Sequence, residues 1–427
     1  MEILGTYTGH PTIETPNIDR LALEGLRLTQ FYAGFQLCSP SRASLLTGKL
    51  PIRLGITGDW EEGVFTNSAI GGLTAEHETW ADVLRGKGYA TKLVGKWHLG
   101  QRPEFLPTRW GFDSYFGIPY SVDMGSSAWF DDKGGTPLPL LENETVIEQP
   151  VDLSTVSERY VRAAKSFMTA ASPKFALMYA SNHVHVPNYA SPRFCNTSRR
   201  GRYGDAAAEL DWEPNTLTIF SSDNGPWLVE EVEGGSAGLF FEGKRSTWEG
   251  GLRVPAFLHW PGLVRPGVSL ALAASYDVFA TILAVAGAEP RLQVDGRDLS
   301  PLFTNQRRRE VRDCLFFYRG RDLWATRCAC SGAHALLPCG RVQFHDPPLL
   351  FDVEEDPSEK WALDPFSRSK ALETILVATA KHKKSLRGFV PEQDQILLGS
   401  NDDFKICGCP DALPNCTCNP ENFDIPS

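Results

Sequence analysis

The stretch Leu37-Cys38-Ser39-Pro40-Ser41-Arg42-Ala43-Ser44-Leu45-Leu46-Thr47-Gly48 predicts both a fold and a chemistry. It predicts a loop that runs into a short helix, with Pro40 at the first helical position and Gly48 just past the last. Cys38 then lies just ahead of the helix N-terminus, where unpaired N–H groups and partial positive charge lower the pKa of a thiol and attract anions. Arg42, one turn later, adds a second positive group. The residues alone leave two interpretations open: a reactive thiol at an anion site, or a buried cysteine beside an ordinary helix cap.

The composition is that of a globular protein. The chain has 427 residues, of which 42% are hydrophobic and 22% charged, enough for a large core and for more than one domain. The net charge of -10 repels polyanions, so we expect no nucleic-acid partner, and an anion site must be a local basic pocket. No apolar run reaches the roughly 18 residues that a membrane span needs, so we expect no membrane span.

Ten cysteines and three glycosylation sequons, at Asn143, Asn196 and Asn415, are typical of the secretory route. A terminal cluster contains Cys407, Cys409, Cys416 and Cys418. Disulfides are favoured there over a zinc site, because Cys-x-Cys spacing is poor for structural zinc and no histidine lies beside it. No signal peptide follows Met1, which conflicts with this assignment.

Three predicted strands end in polar residues. The strand over 90–94 leads into Lys96 and His98. The strand over 175–180 leads into His183 and His185, and the strand over 216–222 leads into Asp223 and Asn224. In an α/β sheet, ligands bind outside the carboxyl ends of the strands. Carboxylate and amide oxygens are ligands for Ca²⁺ or Mg²⁺. The alternative interpretations are a solvated lysine, structural histidines and an ordinary Asn-Gly turn.

The remaining pattern predicts an α/β core followed by a smaller unit. Helices are predicted near 16–22, 76–85, 157–168, 206–212, 275–286 and 370–386. Past about Arg291, short strands at 314–318, 323–327 and 349–353 alternate with turns, which favours a small antiparallel sheet with a packing helix. We therefore predict an α/β domain over 1–290 and a C-terminal subdomain with a cysteine-rich tail over 291–427.

Two motifs resemble those of a known family. Cys38-x-Pro40-Ser41-Arg42 with the residues up to Gly48 resembles the signature of the formylglycine-dependent sulfatases, and Gly88 to Gly100 (GYATKLVGKWHLG) resembles their second signature. The likeness covers nearly the whole chain and is strongest to the arylsulfatase A and arylsulfatase G group. It implies an alkaline-phosphatase-like α/β fold, in which helices flank a mixed, mostly parallel sheet and a smaller antiparallel sheet follows.

The resemblance also implies a reaction and its residues. It implies a sulfuric ester hydrolase whose Cys38 is oxidised to formylglycine by the formylglycine-generating enzyme, which reads Cys38-x-Pro40-x-Arg42. The implied catalytic residues are Cys38, Arg42, Lys96, His98, His185 and Lys244, with His98 as the base and His185 or Lys244 as the proton donor. Lys96, His185, Lys244 and Ser121 would contact the substrate, and Asp223, Asn224 and Cys38 would bind one Ca²⁺. His183 is expected to be structural or peripheral.

Two segments of the family pattern are expected to be lacking in this sequence. In the family a buried strand ending in an Asp-Asp pair precedes Gly9-His10-Pro11, and a longer helix and turn follow Trp212. We therefore expect an incomplete chain, and we keep an inactive sulfatase or a pseudoenzyme that binds sulfated ligands as the alternative function. A phosphatase or phosphodiesterase of the same superfamily is disfavoured, because these typically carry Ser or Thr in place of Cys38.

The expected partners also follow from the resemblance. The expected substrate is a sulfated small molecule, glycan or lipid, and the expected location is the lysosome or the cell exterior. A homo-oligomer is compatible with this family.

Overall fold

The computed structural model describes residues 15–59, 61–125, 136–171, 174–209, 216–304, 311–328, 334–336 and 348–406. Its α-helices are α1 (Pro16–Glu24), α2 (Cys38–Thr47), α3 (Pro51–Leu54), α4 (Trp80–Gly86), α5 (Leu153–Ala170), α6 (Gly201–Glu209), α7 (Glu249–Leu252), α8 (Asp277–Val285), α9 (Ser300–Thr304) and α10 (Ser369–Ser385). Its β-strands are β1 (Leu26–Leu28), β2 (Phe31–Tyr32), β3 (Ala90–Gly95), β4 (Ser114–Gly117), β5 (Leu140–Glu142), β6 (Thr145–Glu148), β7 (Phe175–Ala180), β8 (Thr218–Ser221), β9 (Ala256–His259), β10 (Gly267–Ser269), β11 (Ala273–Ala274), β12 (Cys314–Arg319), β13 (Asp322–Cys328), β14 (His334–Leu336) and β15 (Leu349–Phe351). Short 3₁₀ turns include Pro103–Phe105, Pro107–Arg109, Val122–Met124, Leu228–Glu233, Ile396–Leu398 and Asp402–Phe404.

The strands of the described residues form four sheets. In the order β6-β5-β4-β3-β7, strand β3 runs parallel to both of its neighbours, and helices α4 and α5 pack on it. A second sheet has the order β10-β1-β9-β8, and β2 pairs in parallel with β11. The strands β12 to β15 form an antiparallel sheet against which α10 packs. The predicted fold class, a mixed α/β core with a small antiparallel sheet, is thus confirmed.

The helix that carries Cys38 begins earlier than the sequence predicts. Leu37 is the extended residue before it, and the Ser41 N–H donates to the Leu37 carbonyl at 3.2 Å. Cys38 is therefore the first helical residue and Pro40 the third, not the first. The first four N–H groups of a helix lack helical partners in any case, so a proline at the third position costs no hydrogen bond. The predicted end is confirmed, since Gly48 has a φ of 68° and donates to Ser44 at 2.9 Å.

Four other predicted helix starts are wrong. The helices predicted from 157 and 206 begin at Leu153 and Gly201. The helices predicted from 76 and 275 begin at Trp80 and Asp277, for reasons of side-chain bonding. Helix α4 begins at Trp80 instead of near residue 76, because Thr79 and Asp82 bond to each other's backbone N–H in a capping box. Ser275 does not cap the helix that follows it. Its hydroxyl accepts the Gly34 N–H at 2.8 Å instead, and so ties this segment to the chain just before α2.

A gap separates the five-stranded sheet from the sheet of β10, β1, β9 and β8. In the described residues β7 pairs only with β3, and β8 pairs only with β9. A cavity of about 620 Å³ lies between β7 and β8, and apolar side chains of α1, α4 and α8 line it. The buried strand that the resemblance led us to expect has no counterpart among the described residues.

Two of the cysteines in the described residues form a disulfide that sequence reasoning missed. Cys314 and Cys328 lie opposite each other on β12 and β13 and are bonded. Cys38 and Cys195 carry free thiols. The predicted terminal cluster and the third sequon lie outside the described residues. Within the described part of the chain, no helix combines the length and apolar character needed to cross a membrane.

The capping box of α4 gives a stability prediction. Thr79→Ala removes the hydroxyl that accepts the Asp82 N–H at 3.1 Å and donates to the Trp110 carbonyl at 2.8 Å. We expect the free energy of unfolding, measured by urea titration, to fall by about 1–2 kcal/mol. Thr374 lies on the exposed side of α10, so Thr374→Ala is the matched control. It should change the free energy of unfolding little. Equal urea midpoints for wild type and Thr79→Ala would contradict the prediction.

Candidate active site

Polar side chains from three strand ends converge on the N-terminus of α2. Cys38 is 2% exposed there, and its Sγ lies 3.4 Å from Oδ1 of Asn224, just after β8. Lys96 and His98 follow β3 and are almost fully buried. His185 follows β7, and Lys244 comes from the loop before α7. The structure therefore brings together groups that are far apart in sequence, as the strand-end argument predicted.

The charges around Cys38 control its ionisation. Burial by itself would raise the pKa of this thiol, but the ammonium groups of Lys244 and Lys96 lower it, and the neighbouring side chains of His185 and His98 act in the same direction. The net effect holds the pKa of Cys38 well below its usual value. A negative group is therefore stabilised at this position, which is the behaviour expected of an anion site.

Lys96 is held in the floor of the site. Its backbone N–H donates to the Ala180 carbonyl at 2.7 Å, and its Nζ donates to the Ser121 hydroxyl at 3.0 Å. Burial lowers the pKa of Lys96, an effect that the proximity of Cys38 opposes. An anion that reaches Lys96 would therefore supply the counter-charge that its buried ammonium lacks. Ser121, expected to contact substrate, lies beside this ammonium group.

His98 is arranged as a neutral proton acceptor. Its Nε2 lies 2.9 Å from the Phe65 carbonyl, so the ring proton is on Nε2 and the Nδ1 lone pair is available. Burial, reinforced by Lys96, lowers the pKa of His98 to about 4. The residue also has a φ of 65°, a left-handed conformation that a non-glycine residue rarely adopts. The fold thus holds this imidazole neutral and in one orientation.

His185 and Lys244 form a second pair. Nζ of Lys244 lies 2.8 Å from Nε2 of His185, while Nδ1 of His185 bonds to the Val186 carbonyl at 2.6 Å. Because a carbonyl only accepts, the His185 proton is on Nδ1, and Lys244 donates to Nε2. Lys244 is therefore the group of this pair that carries a proton toward the site.

Arg42 does not point a free charge at the site. Its Nε and a terminal nitrogen bond to Oδ2 of Asp223 at 3.0 and 2.9 Å, and its other terminal nitrogen donates to the Lys96 carbonyl at 2.9 Å. Arg42 therefore links the ends of β3 and β8 and neutralises Asp223.

The described donors fall short of a calcium site. Asn224 lies beside Cys38, but Oδ2 of the preceding residue, Asp223, is bonded to Arg42. Ca²⁺ takes about six to eight oxygen ligands. Within the described residues, no three His, Cys, Asp or Glu side chains are grouped so as to hold a metal ion. The residues described here therefore do not by themselves fit the expected ion.

His183 takes a structural place, as the sequence suggested. Its Nε2 lies 2.8 Å from the Ser157 hydroxyl and 3.2 Å from Oε2 of Glu209, and the histidine ring is buried. These contacts join the segment after β7 to α5 and α6.

Sequence reasoning missed two groups near the His185 and Lys244 pair. Trp227 lies with its ring centroid 4.8 Å from Nζ of Lys244, and Asp123 has an oxygen 3.9 Å from Nδ1 of His185. Each closely follows a predicted site residue, Asn224 or Ser121, so proximity to those residues could have identified both.

Comparison with known proteins finds relatives that match most of the chain. The profile of the Sulfatase family matches residues 5–288, and that of the C-terminal region of aryl-sulfatase matches residues 310–418. Arylsulfatase A of Bos taurus is 37% identical, over 97% of this chain and 92% of its own. Arylsulfatase A of Homo sapiens is 40% identical (84% and 80%), and human N-acetylgalactosamine-6-sulfatase is 36% identical (92% and 84%).

Solved structures show the same fold. The PsFucS1 sulfatase from Pseudoalteromonas sp. superimposes with a TM-score of 0.77 at 23% identity, covering 91% of this chain and 87% of that one. Ps i-CgsB in complex with k-i-k-neocarrahexaose has a TM-score of 0.73 at 25% identity, covering 91% of each chain.

The neutral state of His98 gives a pH prediction. Its pKa is about 4 in the folded chain and about 6.5 in the unfolded one. As the pH falls from 6.5 to 4 the unfolded state takes up the proton first, so stability is lost with acidity. Over that range the free energy of unfolding should fall in both proteins. We expect the fall to be smaller in His98→Gln than in wild type by up to about 3 kcal/mol. Urea titrations at several pH values measure this, and parallel pH profiles would refute it.

Proposed function

The chain belongs to the sulfatase family, whose reaction is the hydrolysis of sulfate esters, and we propose that it uses a formylglycine made from Cys38 as the nucleophile. The observation that carries the proposal is the position of Cys38. It is the first residue of α2, where two lysines and two histidines meet around its side chain. When present, the formylglycine supplies a hydrated aldehyde whose hydroxyl attacks sulfur.

The lysines are proposed to bind the sulfate group. Lys96 and Lys244 both act on the position of Cys38, and the first N–H groups of α2 add partial positive charge. Fixed charges in a buried site act more strongly than in water. Arg42 contributes indirectly, because its guanidinium is bonded to Asp223.

The histidines and Lys244 are proposed to move the protons. His98, neutral with a free Nδ1, would take the proton of the second hydroxyl of the hydrated aldehyde, so that the C–O bond to the transferred sulfate breaks, sulfate leaves and the aldehyde is restored. Lys244, which donates to Nε2 of His185, gives a proton to the departing oxygen of the ester. His185 orients this ammonium group and is fixed in turn by the Val186 carbonyl.

The proposed modification of Cys38 must precede folding. Cys38, Ser39 and Ser41 are at most 2% exposed, and Pro40 is also buried. A formylglycine-generating enzyme has to read this segment in an extended form, so we propose that it acts on the unfolded chain in the secretory pathway. The disulfide between Cys314 and Cys328 and the exposed sequon residues Asn143 and Asn196 support that route, and hence a lysosomal or secreted location.

The proposed substrate is a sulfated small molecule, glycan or lipid with an aromatic or sugar ring next to the ester. Trp227 supports this proposal, because its half-buried ring lies with its centroid 4.8 Å from Nζ of Lys244, the proposed proton donor. The names of two relatives agree with this proposal: an arylsulfatase with an aromatic ring, and an N-acetylgalactosamine-6-sulfatase with a sugar ring.

A second function, the binding of sulfated ligands without turnover, is favoured by one observation. Within the part of the chain that the structure describes, no three His, Cys, Asp or Glu side chains are grouped so as to hold a metal ion, and Oδ2 of Asp223 is bonded to Arg42. We therefore assign no step of the reaction to Ca²⁺. Calorimetric titration with calcium chloride tests the second function, which predicts no heat of binding. If calcium binding releases or absorbs heat in wild type but not in Asp223→Ala, binding without turnover is excluded in favour of the hydrolase.

The nucleophile gives the principal prediction. We expect mass spectrometry of the Cys38 peptide, from protein secreted by a eukaryotic host, to show the aldehyde. Cys38→Ala should abolish hydrolysis of an aryl sulfate, because no nucleophile can then form. Cys195→Ala, which removes the other free thiol of the described residues, should retain it. An unmodified Cys38 thiol in active protein, or turnover by Cys38→Ala, would refute the mechanism.

A further inference from the structure

The loop that carries Lys244 is bonded to the C-terminal sheet through a buried ion pair. Residues 243–248 lead directly into α7, whose first residue is Glu249. We propose that Arg327 on β13 is a positioning residue for catalysis, because it fixes Glu249 and Thr247 and thereby sets where Lys244 stands in the active site. This inference rests on the proposed role of Lys244.

The contacts of Arg327 are specific. Its Nε donates to Oε1 of Glu249 at 2.8 Å, and a terminal nitrogen donates to the Thr247 carbonyl at 2.8 Å. The side chains of Arg327 and Glu249 are both 0% exposed. The planar guanidinium thus holds a carboxylate and a backbone carbonyl of one loop at the same time, which a lysine cannot do in this geometry.

Glu249 depends on this partner. It also accepts from the Tyr32 hydroxyl at 3.0 Å and from Arg253 at 3.1 Å, and its backbone N–H donates to Glu359 at 2.9 Å. Through its carboxylate and its backbone N–H, Glu249 thus joins the segments of Tyr32, Arg327 and Glu359 to α7. Removing Arg327 would leave a buried carboxylate short of positive charge, which is costly enough to shift the loop.

The loop transmits its position to the active site through close backbone contacts. Lys244 donates its N–H to the Pro226 carbonyl at 2.7 Å, and Gly225 donates to Gly251 at 3.0 Å. A Cβ atom on Gly225 would lie 1.9 Å from the Gly250 carbonyl oxygen, so α7 touches the backbone that follows Asn224. A displaced Glu249 therefore moves both Lys244 and the Asn224 segment.

The same loop also contacts the segment before the nucleophile. The Arg245 N–H donates to the Gln36 carbonyl at 3.1 Å, two residues before Cys38. Gln36 in turn reaches the Tyr318 carbonyl on β12 with its side-chain nitrogen at 3.5 Å. The C-terminal sheet thus contacts the segments around the active site in two places. Tyr318 contacts Gln36 through its backbone carbonyl, and Arg327 contacts Glu249 and Thr247 through its charged side chain.

Arg327→Met tests the proposal, with Arg312→Met as the matched control. Arg312 is also buried and bonded to a fully buried carboxylate, that of Asp277, but its hydrogen-bond partners Asp277, Tyr276 and Asp295 do not bond to residues 243–251 in the described structure. Both variants should be less stable. We expect kcat per folded molecule toward an aryl sulfate to fall about 10- to 100-fold in Arg327→Met, with a smaller change in KM. It should stay within about twofold in Arg312→Met.

Hydrogen exchange supplies a readout that does not need activity. Amides of residues 243–252 should exchange at least about tenfold faster in Arg327→Met but at the wild-type rate in Arg312→Met. If Arg327→Met does not fold, Arg327→Lys carries the test, since it keeps the charge but not the double contact. Wild-type exchange and wild-type kcat in a folded Arg327 variant would overturn the proposal. If the wild-type protein is inactive, the proposed hydrolase function is refuted. The hydrogen-exchange data would still decide whether Arg327 positions the loop.

Discussion

The structure depends on keeping several positive side chains close together in a nearly dry site. Lys96 is almost fully buried, Lys244 lies nearby, and Asp223, a carboxylate close to Lys96, is already bonded to Arg42. Like charges at such distances repel, and burial removes the water that would stabilise them. The lowered pKa values of Lys96 and Cys38 are two results of the same constraint. An anion placed at Cys38 relieves it, which agrees with the proposed binding of a sulfate group there.

Much of this arrangement could be predicted from local sequence. Strand β7 is found at the predicted residues, and the ends of β3 and β8 deliver Lys96, His98, Asp223 and Asn224 as expected. These predictions succeeded because the pattern of a buried strand, an apolar run that ends in polar residues, is contained within a few consecutive positions. The helix starts at Cys38 and Trp80 were misplaced, because each depends on a hydrogen bond of one backbone or side-chain group.

The contacts between distant segments could not be predicted in this way. That Lys244 would donate to His185, or that Arg42 would be bonded to Asp223, follows only from the folded chain. The same holds for Arg327, which no local pattern distinguishes from a surface arginine in a strand. A buried ion pair between a strand and a remote loop leaves no periodic trace in either segment.

The disulfide of the C-terminal sheet has a bearing on where the chain can work. Cys328 is the residue next to Arg327, and its bond to Cys314 ties the end of β13 to the start of β12. In the reducing cytosol this covalent tie would be lost, and the strand that presents Arg327 would be held by backbone pairing and packing alone. The redox state of the compartment therefore bears on the same loop that positions Lys244, although the cysteines themselves take no part in the chemistry.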